Sequence, residues 1–367
     1  MPPHPYIRPG AGVVLFCLAL NTVPLTAHAG DTVFKPGITG SVAFEFHNDL
    51  VFSSDDATAE FNTLFTKIVP DVTVTLTDQL SINAGLVFQP VQDPVVSGDD
   101  RVFDDHGLYI ETLKVVYQTG PLTLSGGKMH VNFASAWDVT PGVFGTDMAE
   151  EYEMAENIAL GGSYRHDFTS GGIHTLTAQT FFLDTSGLAE SAFTRRRKTR
   201  EGDGGPGNTG GFSSFAVSLD GGEFPGLKGF AYHAAWVHQG NDTADATSET
   251  RFAVNGAYEF TLPGDITVQP FVEYVTFDDA DGTRDQDRDY LTAALGFTYK
   301  DWSLALSATL KETEAADGTE TDEEHLQVSA GYTFPIGVGL ELGYKHTRNA
   351  GTDTDTFGTL LTYELEF

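Results

Sequence analysis

From Gly37 to the C-terminus, apolar and polar residues alternate with a period of two, and no long segment follows the helical period. Val42, Phe44 and Phe46 oppose Ser41, Glu45 and His47; Leu326, Val328, Tyr332 and Phe334 oppose Gln327, Ser329 and Thr333. Successive side chains of an extended strand point to opposite faces, so each such segment reads as a strand with one apolar and one polar side. About sixteen strand candidates follow one another in this way. The last runs from Asp353 to Phe367. Phe367, Leu365, Tyr363, Leu361, Thr359 and Phe357 share one of its faces; Glu366, Glu364, Thr362 and Gly358 share the other, where Leu360 is the one apolar residue.

The connections narrow the fold further. Short turns at Thr77–Gln79, Gly120–Pro121, Ser170–Gly172, Pro263–Asp265, Lys300–Asp301 and Pro335–Ile336 alternate with longer polar segments. These are Asn48–Ala57, Pro90–Val102, Ala134–Ala149, Asp184–Gly211, Gly240–Thr247, Asp278–Gln286, Glu314–Thr321 and Asn349–Thr352. That rhythm is the one expected of a transmembrane antiparallel β-barrel of about 16 strands, with short periplasmic turns and long outer loops. A bilayer interior offers no water to backbone groups, so among β structures only a closed barrel can span it. A soluble exported β-sandwich or β-helix would alternate similarly, but does not require apolar outward faces on nearly every strand.

Composition excludes the other membrane class. Apolar residues make up 40% of the 367-residue chain, and beyond the N-terminus no apolar run approaches the roughly 18 residues that a spanning helix needs. The formal charge of -32 argues against nucleic acid as a partner, because phosphate binding needs clustered cations. Residues 1–29 read as a cleaved secretory signal: His4 and Arg8, an apolar core from Ala11 to Leu25, and the small-residue site Ala27-His28-Ala29. Residues 30–367 form the barrel in this reading. The single cysteine, Cys17, lies in the signal, so the barrel carries no disulfide and no thiolate site.

Outward apolar faces turn the polar faces into the lumen. The alternation places Lys128, His130, Asn132, Glu151, Glu153, Arg165, Arg251, Glu259, Glu273 and Lys345 there as candidate pore-lining residues. Sixteen strands leave an aqueous channel, so these groups are expected to line water. The third long connection, Ala134–Ala149, is more apolar than an exposed tip requires. Its Trp137, Asp138, Phe144 and Asp147 mark it as a loop that folds inward and constricts the channel, against the alternative of packing on the rim. Arg195, Arg196, Arg197, Lys198 and Arg200 concentrate positive charge in the longest loop of an acidic chain. They are candidates for admitting an anionic solute, or for bridging to acidic loops or lipopolysaccharide phosphates. The aspartates from Asp278 to Asp289 lack calcium-loop spacing and read as a solvated loop. No nucleophile motif, metal signature or dinucleotide fingerprint occurs, so no cofactor, metal or enzymatic activity is expected.

Two segments resemble known families. A strand ending on a C-terminal Phe is similar to the closing strand of bacterial outer-membrane proteins; that resemblance implies an assembly signal at Phe367, Leu365 and Tyr363, read by the barrel-assembly machinery. The segment from Gly126-Gly127-Lys128-Met129-His130-Val131-Asn132-Phe133, through Pro141-Gly142-Val143-Phe144 and Glu151-Tyr152-Glu153, to about Tyr164 resembles the LbtU-type siderophore porin family. Asn132 stands where that family carries Pro, and Met148–Glu156 matches loosely. The resemblance implies a channel in the bacterial outer membrane for passive diffusion of small hydrophilic solutes, with iron–siderophore complexes as one candidate. Lipid and lipopolysaccharide are the expected surroundings. Porins of this size are often homotrimers, though the sequence carries no interface signature. A structural or adhesive barrel with an occluded lumen is the alternative, with an outer-membrane enzyme behind it.

Overall fold

The computed structural model describes residues 34–94, 98–196, 198–244 and 246–367. The expected signal, residues 1–29, and Arg197 lie outside them. Sixteen strands make one closed antiparallel barrel. They are β1 (Phe34–Ser54), β2 (Asn62–Thr77), β3 (Leu80–Pro90), β4 (His106–Thr119), β5 (Leu122–Met129), β6 (Asn157–Asp167), β7 (Ile173–Leu183) and β8 (Ser214–Gly222). There follow β9 (Phe230–Gln239), β10 (Glu249–Tyr258), β11 (Ile266–Asp278), β12 (Asp287–Tyr299), β13 (Trp302–Glu314), β14 (Glu320–Thr333), β15 (Gly339–Asn349) and β16 (Thr352–Glu366). Three short extra pieces, Arg101–Val102, Ala192–Phe193 and Phe260–Leu262, pair along the rims.

The closing seam joins β16 to β1, from Ser41↔Glu366 to Ser54↔Thr354. Phe367 continues it: its N–H donates to the Gly40 carbonyl (3.0 Å) and its carbonyl accepts from the Gly40 N–H (2.9 Å). Closure satisfies the strand edges that an open sheet would leave bare. Burial alternates along the strands as the sequence pattern requires. On β12, Tyr290, Thr292 and Ala294 are buried while Leu291 and Ala293 are exposed. The exposed face carries Phe44, Phe46, Leu291, Leu326, Phe357 and Leu361, an apolar band suited to hydrocarbon.

Two connections differ from expectation. The segment Asn48–Ala57, expected as a loop, is strand as far as Ser54: β1 keeps β2 beside it to Leu50 and β16 to Ser54, and Leu50 and Phe52 continue its exposed apolar face. Asn349–Thr352, expected as a long connection, is a two-residue turn at Ala350 and Gly351, both with positive φ.

The larger departure concerns the interior. Sixteen strands were expected to leave open water inside, yet one side of this barrel is filled. Residues 130–156, between β5 and β6, turn into the lumen. Their Val131, Phe133, Ala136, Ala149 and Tyr152 pack against Phe181, Val237, Val275, Phe277 and Tyr290 of the wall. The apolar inward residues of β7 to β12 are therefore not wetted wall. They form the second half of a core whose first half is the loop.

The inward loop and the two cavities it separates

The inserted loop is held across the lumen by a series of anchors, each linking a loop group to a distant strand. The first is Glu273 on β11, which is 1% exposed. Its carboxylate accepts from the backbone N–H groups of Ser135 (2.6 Å) and Ala136 (2.9 Å), from the Tyr152 hydroxyl (2.8 Å) and from the Asn255 amide (2.8 Å). Residues Ala136–Val139 form one helical turn whose first N–H groups have no partner within it. Glu273 supplies one from the opposite wall.

The second anchor is the loop tip. The Val143 N–H donates to Ser329 Oγ (2.9 Å), and Gln327 Nε2 donates to the Pro141 carbonyl (2.9 Å). Gly142 holds φ +102 there, and a Cβ on it would fall 2.4 Å from the Gln327 amide, so only glycine fits. Val143 and Phe144 then pack on Leu360, which is fully buried. This explains the apolar residue on the polar face of the last strand. Beside it, a Cβ on Gly358 would lie 2.4 Å from the Phe144 ring, so the bare backbone there is the seat of that ring.

Charged anchors complete the set. Lys345 Nζ reaches Asp147 at 2.6 Å. Lys311 bridges Glu151 and Glu323, each at 2.8 Å, and the Tyr290 hydroxyl donates to Glu151 (2.8 Å). Lys128 sits between Glu156 (2.7 Å) and Asp184 (3.0 Å). His130 faces Glu153 at 3.3 Å and Glu111 at 3.6 Å. Asn132 donates to Ser218 Oγ (2.7 Å) and Asp220 (3.2 Å). Burial raises the Glu150 carboxyl well above its ordinary range, with Lys67 opposing the shift.

These contacts redistribute the residues expected to line water. Lys128 and Glu273 are 1% exposed and line no open path, because each is consumed by anchoring. His130, Asn132, Glu151 and Glu153 belong to the loop and not to strands; β5 ends at Met129 and β6 begins only at Asn157. Arg251 is half-buried against Glu249 (2.5 Å), with its guanidinium 4.3 Å from the Phe277 ring centroid. Arg165 is half-buried near the short-turn end. Glu259 is exposed and accepts from Gln269 (2.8 Å). Of the four constriction candidates, Phe144 is buried, Asp147 pairs with Lys345, Trp137 lies 5.7 Å from the His130 ring, and Asp138 is exposed.

The basic run divides. Ala192–Phe193 pairs with Gly107–Leu108 of β4, which brings this part of the connection back against that strand. Arg196 is thereby buried: it grips Glu156 through both terminal guanidinium nitrogens, donates from Nε to the Ala189 carbonyl (2.6 Å) and stacks on Tyr109 at 4.1 Å. It is a bridge and not a surface charge. Arg195 and Arg200 are exposed, and Lys198 donates to the Ser186 carbonyl at 2.5 Å.

On either side of the loop lies a cavity. The one toward the short turns, of about 370 Å³, is lined by Val139, Pro141 and Gly142 of the loop with Glu259, Gln269 and Glu341 of the wall. The one toward the long connections, of about 310 Å³, is lined by Asp147 and Lys345 at its inner end with Phe65, Val91 and Tyr109. Sequence reasoning located the loop. It missed Leu360, Gly358 and Glu273 as its docking partners, although a lone apolar residue on a polar strand face is a readable sign of something packed there.

No protein-family model and no curated protein matches the sequence. Solved structures do match in fold. OprB of Pseudomonas putida aligns with a TM-score of 0.59 at 11% identity, over 90% of this chain and 94% of that one. In-vitro folded OmpT of Vibrio cholerae, an outer membrane protein in its trimer form, aligns at 0.57 and 13%, over 90% and 99%. The outer membrane channel DcaP of Acinetobacter baumannii aligns at 0.55 and 11%, over 90% and 97%. The chain has the fold of outer-membrane barrels.

Proposed function

We propose that this chain is a bacterial outer-membrane channel through which small hydrophilic solutes diffuse passively. The observation that carries this reading is the pair of cavities, one on each side of an inward loop, inside a closed barrel with an apolar outer band. A purely structural barrel gains nothing from open space of about 370 and 310 Å³ on the two sides of a tethered loop. The loop would act as the constriction, with Phe144, Asp147 and Lys345 at its narrowest part and the ion pairs above setting selectivity. The similarity in fold to an outer membrane channel agrees with this.

Iron–siderophore complexes are a narrower candidate that rests on the segment from Gly126 to Tyr164 alone. Export by a cleaved signal at residues 1–29, insertion through an assembly signal at Phe367, Leu365 and Tyr363, contact with lipopolysaccharide and a homotrimeric state belong to the same proposal. An occluded, structural barrel is the second reading, favoured by the apolar core between the loop and β7 to β12. Swelling of protein-loaded liposomes in sugars, amino acids and ferric chelates separates the two. Graded swelling by solute size supports the channel, and none from folded protein supports the occluded barrel.

A further inference from the structure

In the β2–β3 seam both strands run on past the end of their shared ladder. Its ladder runs from Thr75↔Ser81 to Asp71↔Gly85 and touches once more at Ile68↔Phe88, then stops, although β2 continues to Asn62 and β3 to Pro90. The sequence explains the stop. Continuing that register sets Pro70 opposite Leu86 and Thr66 opposite Pro90, and proline has no N–H to give to a ladder. What closes the gap is a strap from the following loop. Arg101–Val102 pairs in parallel with Thr63–Leu64, and the Phe103 N–H donates to the Leu64 carbonyl (2.8 Å). Below it the His106 ring stands in for the missing strand: its Nε2 lies 3.3 Å from the Thr66 nitrogen and 3.1 Å from the Thr66 oxygen. One ring nitrogen serves only one of those groups at a time in either tautomer.

The seam lies within the lipid-facing band. Thr66 pairs with Phe46 on β1, and further along β1 the outward Leu50 and Phe52 are still apolar and exposed. Outside the strap, Val102, Phe103 and Phe193 are exposed, with Phe103 against Phe46 (5.9 Å) and Phe193 edge-on to Phe88 (6.3 Å). Directly inside lies the 310 Å³ cavity, and its wall is the seam itself: Thr63 and Phe65 of β2, Pro90 and Val91 at the end of β3, and Arg101 of the strap. That volume is at the lower end for small-molecule sites, roughly 300–1,000 Å³. Its cations are already matched, Arg101 by Asp105 (2.9 Å), Arg196 by Glu156 and Lys345 by Asp147 (2.6 Å), while Asp49 and Asp93 add negative charge. An anion finds no unmatched partner there; an uncharged apolar molecule finds Phe65, Val91 and Tyr109.

We propose that the β2–β3 seam is a lateral portal, gated by the 101–106 strap and His106, through which small uncharged apolar molecules exchange between membrane hydrocarbon and the inner cavity. This requires the barrel to sit in lipid but not that solutes diffuse along its axis. The test uses the full chain in liposomes with a diazirine-bearing decanol as probe, and the cysteine pair Leu64→Cys with Val102→Cys across the strap. The chain's one cysteine, Cys17, is replaced by Ser in this background, so that the introduced pair are the only thiols. Photolabelling of peptides containing Phe65, Val91 and Tyr109 is expected to fall at least tenfold when the pair is oxidised and to return on reduction. His106→Ala is expected to speed labelling severalfold. No labelling in the unlocked protein, or labelling indifferent to the lock, overturns the portal. Should the lock disturb the barrel, an unchanged labelling rate in His106→Ala overturns it independently. Ion conductance of the same liposomes reports the axial path separately: a silent barrel with lock-sensitive labelling refutes the channel and keeps the portal.

Discussion

Replacing Glu273 by Ala removes one side chain from the barrel wall and takes away the acceptor of three loop donors at once. Two of them are the backbone N–H groups of Ser135 and Ala136, at 2.6 and 2.9 Å, and the third is the Tyr152 hydroxyl. A hydrogen bond to a charged group is worth about 1.5–3 kcal/mol, so the two amides together lose roughly 3–6 kcal/mol. The remaining anchors at Ser329, Leu360 and Lys345 are separate from this one, so residues 134–139 should lift while 141–147 stay docked. With tenfold per 1.4 kcal/mol, hydrogen exchange of the 133–140 segment should quicken by about a hundredfold to ten-thousandfold. The barrel strands should keep native protection, since local opening need not follow global stability. Exchange measured by mass spectrometry on the folded protein decides. Unaltered protection at Ser135 and Ala136 would refute the idea that Glu273 holds the loop.

Three further expectations follow from the same contacts. Arg196→Ala breaks a buried pair but leaves Glu156 its contact with Lys128, so the loss should fall below the roughly 3–5 kcal/mol of a buried charge left wholly unpaired; faster proteolytic cleavage within residues 184–213 should report it, whereas Arg195→Ala should cleave at the native rate. Burial raises the Glu150 carboxyl well above its ordinary range, so across the shifted range the folded loop binds more protons than a released one; loop docking is strongest at low pH and weakens as pH rises from the ordinary carboxylate range toward the raised value. Glu150→Gln should abolish that trend in the protection factors of residues 146–152, taken relative to the intrinsic exchange rate at each pH, and a slope in protection that persists in the variant rejects the assignment. Deleting Phe367, whose backbone closes the seam on Gly40, should lower the heat-resistant folded fraction in outer membranes, and full assembly without it would count against a terminal signal.

The barrel was legible because its constraint is repetitive: every strand must alternate, and every second connection must be short. Strand ends were less legible. Asn48 to Ser54 carries enough polar residues to pass for a loop, yet β1 continues through it because β2 accompanies it to Leu50 and β16 to Ser54. The inward loop announced itself by Trp137, Val143 and Phe144, apolar residues with no business at an exposed tip. Its partners did not, since docking depends on which residues of β11, β14 and β16 face each other across the lumen, and period two assigns a face but not a distance. Glu273 therefore read as one more wetted acid, and Lys128 as one more wetted base. The split of the basic run was hidden for a similar reason: Arg196 turns inward only because Ala192–Phe193 finds an edge on β4. The two prolines that interrupt the β2–β3 ladder were visible in the sequence, but their meeting in one register was not.

In the proposed channel, the loop narrows a path which the barrel would otherwise leave wide. Single-channel recording in planar bilayers, comparing the native chain with one lacking Val139–Thr146, tests it most directly. That deletion removes the Val143–Phe144 plug on Leu360 and leaves the sixteen-strand ladder intact. Stable open steps from the native protein and larger steps from the deletion are the predicted result. Equal steps from both, or no step from either when both are folded, would contradict it.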